Sequence, residues 1–310
     1  MNLYVPILKH VIKEIEAGRP ISICTVVETE GSTPQTPGAM MVIDQTSQTK
    51  GTIGGGCVEA EIRRRSFELL QKRSSALVKL SLDHDFGWDD GLICGGTMTI
   101  AVTTIDRAES CDSIRKALED LQNYQPSTIP ISVQEKGKSF EYKINIEAEP
   151  SLVIAGAGHI GQALANLCVG LEFHVTVIDN RADYANVSRF PPPINVVVND
   201  ISTALEKFPI DPVTYIVIVT RGHKHDEQAL EAVIRSPAKY IGMIGSKRKV
   251  KLIYDGLQSR GITPEMLNRV HSPIGLPINA VTVPEIMVSI AAELIATRRT
   301  IRRKIVEGPF

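Results

Sequence analysis

The chain has 310 residues, enough for two domains of the usual ~100–200 residues, each with its own core. With 43% hydrophobic and 22% charged residues and a formal net charge of -1, it is neither disordered nor a globally basic nucleic-acid binder, so any anionic ligand needs a local site. Met1-Asn2-Leu3-Tyr4 is unlike a signal peptide, no apolar run approaches a membrane span, and five scattered cysteines without a CxxC pair make neither a disulfide framework nor a zinc site. A cytoplasmic protein with free thiols and no nucleic-acid or membrane partner is expected.

Ile7, Leu8, Val11, Ile12 and Ile15 form the stripe of a helix over 4–17. Strands are expected at 21–27 and 39–44, separated by a loop from Gly31 to Gly38 whose Gly and Pro content excludes regular structure. Gly54-Gly55-Gly56-Cys57 then feeds a helix over 58–73 with apolar Val58, Ile62, Phe67, Leu69 and Leu70. Strands at 76–82 and 97–105 flank an Asp- and Gly-rich loop around Trp88. A helix over 110–122, a hairpin over 129–146 about Lys136-Gly137-Lys138 and a linker ending at Pro150 complete a mixed α+β domain over 1–146.

From Ser151 short apolar strands, at 152–155, 174–179, 195–198, 215–220 and 240–244, alternate with helices at 159–171, 226–235, 247–259 and 284–299. That alternation implies a parallel sheet with crossovers, so the fold class is α/β, with a Rossmann-like doubly wound second domain over 151–310.

The first of these strands runs into Gly156-Ala157-Gly158-His159-Ile160-Gly161, where a helix opens. Gly156 permits the tight turn, Gly158 with neighbouring His159 lets backbone N–H groups approach a pyrophosphate, and Gly161 lets helix and strand pack closely. Asp179 ends the next strand, where a carboxylate meets a ribose 2′-hydroxyl; this favours NAD over NADP, with Arg181 nearby weighing against the inference. NAD, FAD or another dinucleotide suits the turn; alternatively the domain keeps its turn and binds nothing. Ligands of such sheets sit at the carboxyl ends of strands, so Thr220–Asp226 and Gly242–Lys249 should face the same crevice. His223, His225 and Asp226 form a ligand-binding or proton-transfer cluster or, in part, a helix cap; Lys247 and Arg248 hold a phosphate or face solvent.

Cys57 follows three glycines at a helix start, where free N–H groups and the helix dipole stabilise a thiolate that can serve as a soft ligand. Cys94 precedes Gly95 and Gly96 in a second such loop, and the two loops suggest a shared pocket. Cys24, Cys111 and Cys168 lie in apolar patterns and read as buried, while Arg63-Arg64-Arg65 reads as a solvated helix face. Residues alone leave open a cofactor-handling protein, an NAD-dependent oxidoreductase with His223 or His225 as acid/base, and a nucleotide-binding redox sensor. No complete catalytic constellation assembles, because the histidine pair and the cysteines fall in different domains.

Glu30-Gly31-Ser32-Thr33-Pro34, Gly51-Thr52-Ile53-Gly54-Gly55-Gly56-Cys57-Val58-Glu59 and Asp90-Gly91-Leu92-Ile93-Cys94-Gly95-Gly96 resemble the N-terminal domain of the XdhC/CoxI family, accessory proteins of xanthine dehydrogenase and related molybdenum hydroxylases. In the second half Gly156–Gly161, Tyr240–Lys249, His271-Ser272-Pro273-Ile274-Gly275-Leu276 and Pro284-Glu285-Ile286 are similar too, in order along nearly the whole chain. The resemblance implies a maturation factor that binds molybdenum cofactor and protects it while a cysteine desulfurase installs its sulfido ligand. Delivery to an apo xanthine dehydrogenase-type hydroxylase follows. It makes Cys57 a molybdenum-proximal thiolate, and Gln35 stands where the family commonly has Arg. The glycine loops would supply backbone donors for the pterin phosphate and soft groups near the metal. A homodimer is expected on the general prevalence of symmetric oligomers.

Overall fold

The computed structural model describes residues 3–82, 95–107, 111–135, 137–299 and 305–308, and the chain divides into two compact units. The first contains α1 (Tyr4–Glu16), β1 (Ile21–Glu30), β2 (Met40–Ile43), β3 (Thr49–Gly51), α2 (Gly56–Gln71), β4 (Ala76–Ser81), β5 (Thr97–Ile105), α3 (Asp112–Gln122) and the hairpin β6 (Ser127–Glu135) with β7 (Lys138–Ile146). Its main sheet is antiparallel, in the order β3-β2-β1-β5-β4. Because successive side chains of a strand point to opposite faces, β1 is apolar on both: Ile21 and Ile23 join a core with α1, α3 and the hairpin, and Cys24 and Val26 join a second core under α2. Full burial of such aliphatic side chains stabilises by roughly 1.5–3 kcal/mol each, which explains why a central strand of this length dispenses with a polar face.

The second unit holds β8 (Ser151–Ala155), α4 (His159–Gly170), β9 (His174–Asp179), β10 (Asn195–Val198), α5 (Ile201–Lys207), β11 (Tyr215–Ile218), α6 (His223–Val233), β12 (Tyr240–Met243), α7 (Lys247–Ser259), α8 (Pro264–Asn268), β13 (Val270–His271) and α9 (Val283–Arg299). All six strands are parallel, in the order β10-β9-β8-β11-β12-β13. This is the doubly wound Rossmann-type arrangement, whose direction of winding reverses between β8 and β11 and leaves a crevice there. Leu152, Ile154, Val175 and Val217 pack with Leu164 of α4 and with Ile290 and Leu294 of α9 on one face. Val153, Ile216 and Ile241 pack with α5, α6 and α7 on the other, as expected of strands covered on both sides.

The division corrects the expected second domain of 151–310. The last strand, β14 (Val306–Glu307), pairs antiparallel with β7, so residues 305–308 belong to the first unit, whose other described residues run from 3 to 148. A two-residue strand carries no periodicity of its own; it exists because β7 offers an edge and Val306 fills the apolar core beside Ile144. The same shortness hid β3, α5, α8 and β13.

Candidate functional site

In the first unit three loops converge at one end of the main sheet. Gly54, Gly55 and Gly56 have φ of 129°, 70° and 55°, a run of backbone that L side chains rarely adopt. Gly55, at the N-cap of α2, pairs its φ of 70° with ψ of -176°, a region essentially reserved for glycine. A Cβ on Gly54 would lie 2.7 Å from Pro34 Cγ, so the glycine run seats against the Gly31–Gly38 loop. On its other side that loop meets Gly95-Gly96: Ser32 bridges to Gly95, and a Cβ on Gly96 would overlap the Ser32 carbonyl oxygen. The two glycine segments singled out in the sequence thus flank one loop; Cys94 itself lies outside the described residues.

Glu59 holds the glycine run in place. Its Oε1 accepts from Thr52 Oγ1 at 2.6 Å, Gly55 N at 3.0 Å and Ile53 N at 3.2 Å. This is the reach-back of a first-turn carboxylate to the N-cap, and Glu59 in the sequence was its signal. Cys57 follows in the first turn of α2, half-buried. The other described cysteines are buried. Burial pushes the Cys24 and Cys168 thiols up to about 12 and raises that of Cys111, so these three are packing groups held as neutral thiols. Arg64 and Arg65 pair with Glu61, and Arg64 also with Glu68, one turn along α2, the pattern of a solvated helix face.

In the second unit Gly156 has φ of 120°, and a Cβ there would lie 2.5 Å from the Val219 carbonyl oxygen, so the backbone just past β11 requires glycine at the turn. Gly161 is packed as expected, since a Cβ would overlap the Gly156 carbonyl oxygen. Gly158 is the N-cap of α4, with exposed His159 as its first residue. Asp179 departs from the expectation of a carboxylate facing a ribose. It is buried and turned into its own chain, accepting from Ala157 N at 2.8 Å and from Arg181 N, Nε and Nη2. Burial, its largest single influence, works to raise the Asp179 pKa; the Arg181 pair and the backbone N–H groups together outweigh it and hold the carboxyl below its ordinary value.

The histidine cluster does not assemble as one site. His223 opens α6 and is exposed, whereas His225 lines the crevice with Asp179, Asp200, Thr220 and Arg221. Asp226 is fully buried and accepts from Thr220 N and Oγ1, while Lys249 closes an ion pair on its other oxygen. It ties the ends of β11, α6 and α7 together and is structural. Lys247 is the first residue of α7, whose cap is Ser246, accepting from Lys249 N.

A group of residues to which sequence patterns assign no chemical role stands at β12 and α9. Glu293 accepts from Tyr240 Oη at 2.5 Å and Gly275 N at 2.8 Å, and shares a 3.1 Å contact with His271 Nδ1. Burial, again the largest single influence, opposes ionisation of Glu293, and these hydrogen bonds reverse the balance and depress its pKa; the same burial and the adjacent carboxylate raise that of Tyr240.

The structure therefore defines a two-unit protein in which a glycine-loop thiol centre is joined in one chain to a Rossmann-type α/β unit. Residues 152–294 match the family described as the XdhC Rossmann domain and residues 14–81 match the XdhC and CoxI family. The chain belongs to the XdhC/CoxI family. It is 28% identical to the uncharacterized protein YqeB of Escherichia coli (strain K12) over 91% of this chain, and spans only 44% of that relative. It is 26% identical to a probable xanthine dehydrogenase subunit of Bacillus subtilis (strain 168), covering 90% of this chain and 93% of that one. Identity to the molybdenum cofactor insertion chaperone PaoD of Escherichia coli (strain K12) is 21%, over 94% and 88% of the two chains. The fold matches a crystal structure described as a xanthine dehydrogenase from Bacillus halodurans with TM-score 0.82, 22% identity and coverage of 98% and 97%. Among the described residues no helix is long and apolar enough to cross a membrane, and no three His, Cys, Asp or Glu side chains group as a metal site.

Proposed function

We propose that this protein is an accessory factor of a xanthine dehydrogenase-type molybdenum hydroxylase that carries molybdenum cofactor as its cargo. On this reading it holds the cofactor in the first unit while a cysteine desulfurase supplies the sulfido ligand, and then passes it to the apo-hydroxylase. The observation that carries the reading is the convergence of the Gly54–Cys57 and Gly95–Gly96 segments on the Gly31–Gly38 loop, with a half-buried thiol at the start of a long helix. A molybdopterin presents a phosphate and a metal held by sulfur; backbone donors at a helix start suit the first and a thiolate suits the second. Similarity to the insertion chaperone PaoD and to the Bacillus subtilis protein supports the same class of partner.

The test is reconstitution. Protein purified from cells that make the cofactor is mixed with an apo-hydroxylase of this type, and substrate oxidation is followed. The reading expects activity to return with wild-type protein and not with Cys57→Ala. Equal recovery with both proteins removes Cys57 from the function, and no recovery with wild type, despite loaded cofactor, contradicts the delivery step.

A further inference from the structure

The doubly wound fold implies a dinucleotide, and its residues permit a direct test of fit. In such folds the acidic residue ending the second strand must offer free carboxylate oxygens to a ribose. Asp179 offers none: its side chain is 3% exposed, and an ionised carboxylate has about four acceptor positions. Those positions are met by Arg181 N at 3.0 Å and Nε at 2.9 Å on Oδ1, and by Ala157 N and Arg181 Nη2, both at 2.8 Å, on Oδ2.

Arg181 is anchored there by its neighbours. Its guanidinium lies 3.9 Å from the centroid of the Tyr184 ring, a stacked arrangement. Tyr184 is tied in turn to the glycine turn, because Arg189 Nη1 donates to both the Tyr184 and the Ala157 carbonyl oxygens, at 3.0 and 2.9 Å. Arg189 Nη2 donates to Gln162 Oε1 on α4 at 2.7 Å, and Gln162 Nε2 returns a bond to the Arg189 carbonyl oxygen. The cavity left between Asp179, Arg181, Asp200, Thr220, Arg221 and His225 is about 10 Å³. That is the room of about one water.

We propose that Arg181 is a built-in occupant of the ribose-recognition position, a selectivity residue that keeps free dinucleotides with an open ribose diol, such as NAD(H), off the glycine turn. The inference concerns the second unit alone and does not depend on the cargo assigned to the first.

The experiment is a fluorescence titration of NADH into wild-type protein, Arg181→Gln and Arg181→Ala, with Asp179→Asn/Arg181→Gln as a control. Arg181→Gln keeps an amide donor toward Asp179 and guards against loss of folding in the shorter variant. The proposal expects binding at least about tenfold tighter in the single variants than in wild type, with the gain abolished in the double variant. Equal affinity in wild type and variants overturns it, as does weaker binding in the variants, which would make Arg181 a ligand contact. A further readout needs only the wild-type chain: millimolar NADH leaves its melting temperature unchanged if Arg181 holds the position, and a rise in Tm contradicts the proposal.

Discussion

The two units place glycine where a ligand's phosphate would approach, and they treat the space differently. In the first unit nothing stands within 4 Å of where a Cβ would project from Gly55 or Gly56, so these glycines answer to backbone conformation alone and leave open space before α2. In the second, Gly156 and Gly161 answer to close packing against Val219, just past β11, and the turn itself; Gly158 is as open as Gly55 and Gly56, and the difference is that the chain's own Arg181 lies over the acidic residue beside the turn. A glycine signature therefore reports the path of the backbone and not the vacancy of the site. Only the side chains around it decide whether a ligand can enter.

Substitutions can break this comparison. The largest effect is expected for Gly156→Ala, which combines φ of 120° with a Cβ 2.5 Å from the Val219 carbonyl oxygen; backbone strain and overlap together should cost about 3 kcal/mol in denaturant unfolding. Gly55→Ala meets no neighbour and should cost only its backbone strain, about 1–2 kcal/mol, while reducing retained cofactor more than Gly156→Ala does. Equal costs would mean that the glycine run is as tightly packed as the Rossmann turn.

A smaller effect should appear with pH. Asp179 and Glu293 both have depressed pKa values in the folded chain, so their contribution is present above the ordinary carboxylate range and is lost as pH falls through their folded values. Melting temperature should therefore decline below about pH 4, and the decline should be shallower in Glu293→Gln. An identical acid limb in that variant would show that Glu293 does not contribute.

Much of this architecture was legible in the sequence because it rests on local rules: the apolar stripe of α1, the glycine run before α2, and the strand–turn–helix around Gly156. Belonging to the XdhC/CoxI family was also legible from its motifs. What escaped depends on contacts between distant residues. β14 is specified by the free edge of β7, in the middle of the chain, since Glu307 faces Lys143 and Val306 faces Ile144. Asp179 stands where a ribose-binding acid belongs, and only the two-residue return of Arg181 and its stacking on Tyr184 reveal that it is already engaged. Glu293 gave no cue beyond being one of two glutamates in α9, because its partners Tyr240, His271 and Gly275 come from two other segments.

The central claim is that cargo is held through the thiol at the start of α2, and the most direct measurement is molybdenum and pterin content per chain. Wild type, Cys57→Ala and Cys24→Ala would be purified from cells with cofactor synthesis intact, the last as a buried thiol of the same unit. The predicted result is near-stoichiometric metal and pterin in wild type and in Cys24→Ala, and loss of both in Cys57→Ala. Full loading of Cys57→Ala, or an empty wild-type protein, would contradict the claim.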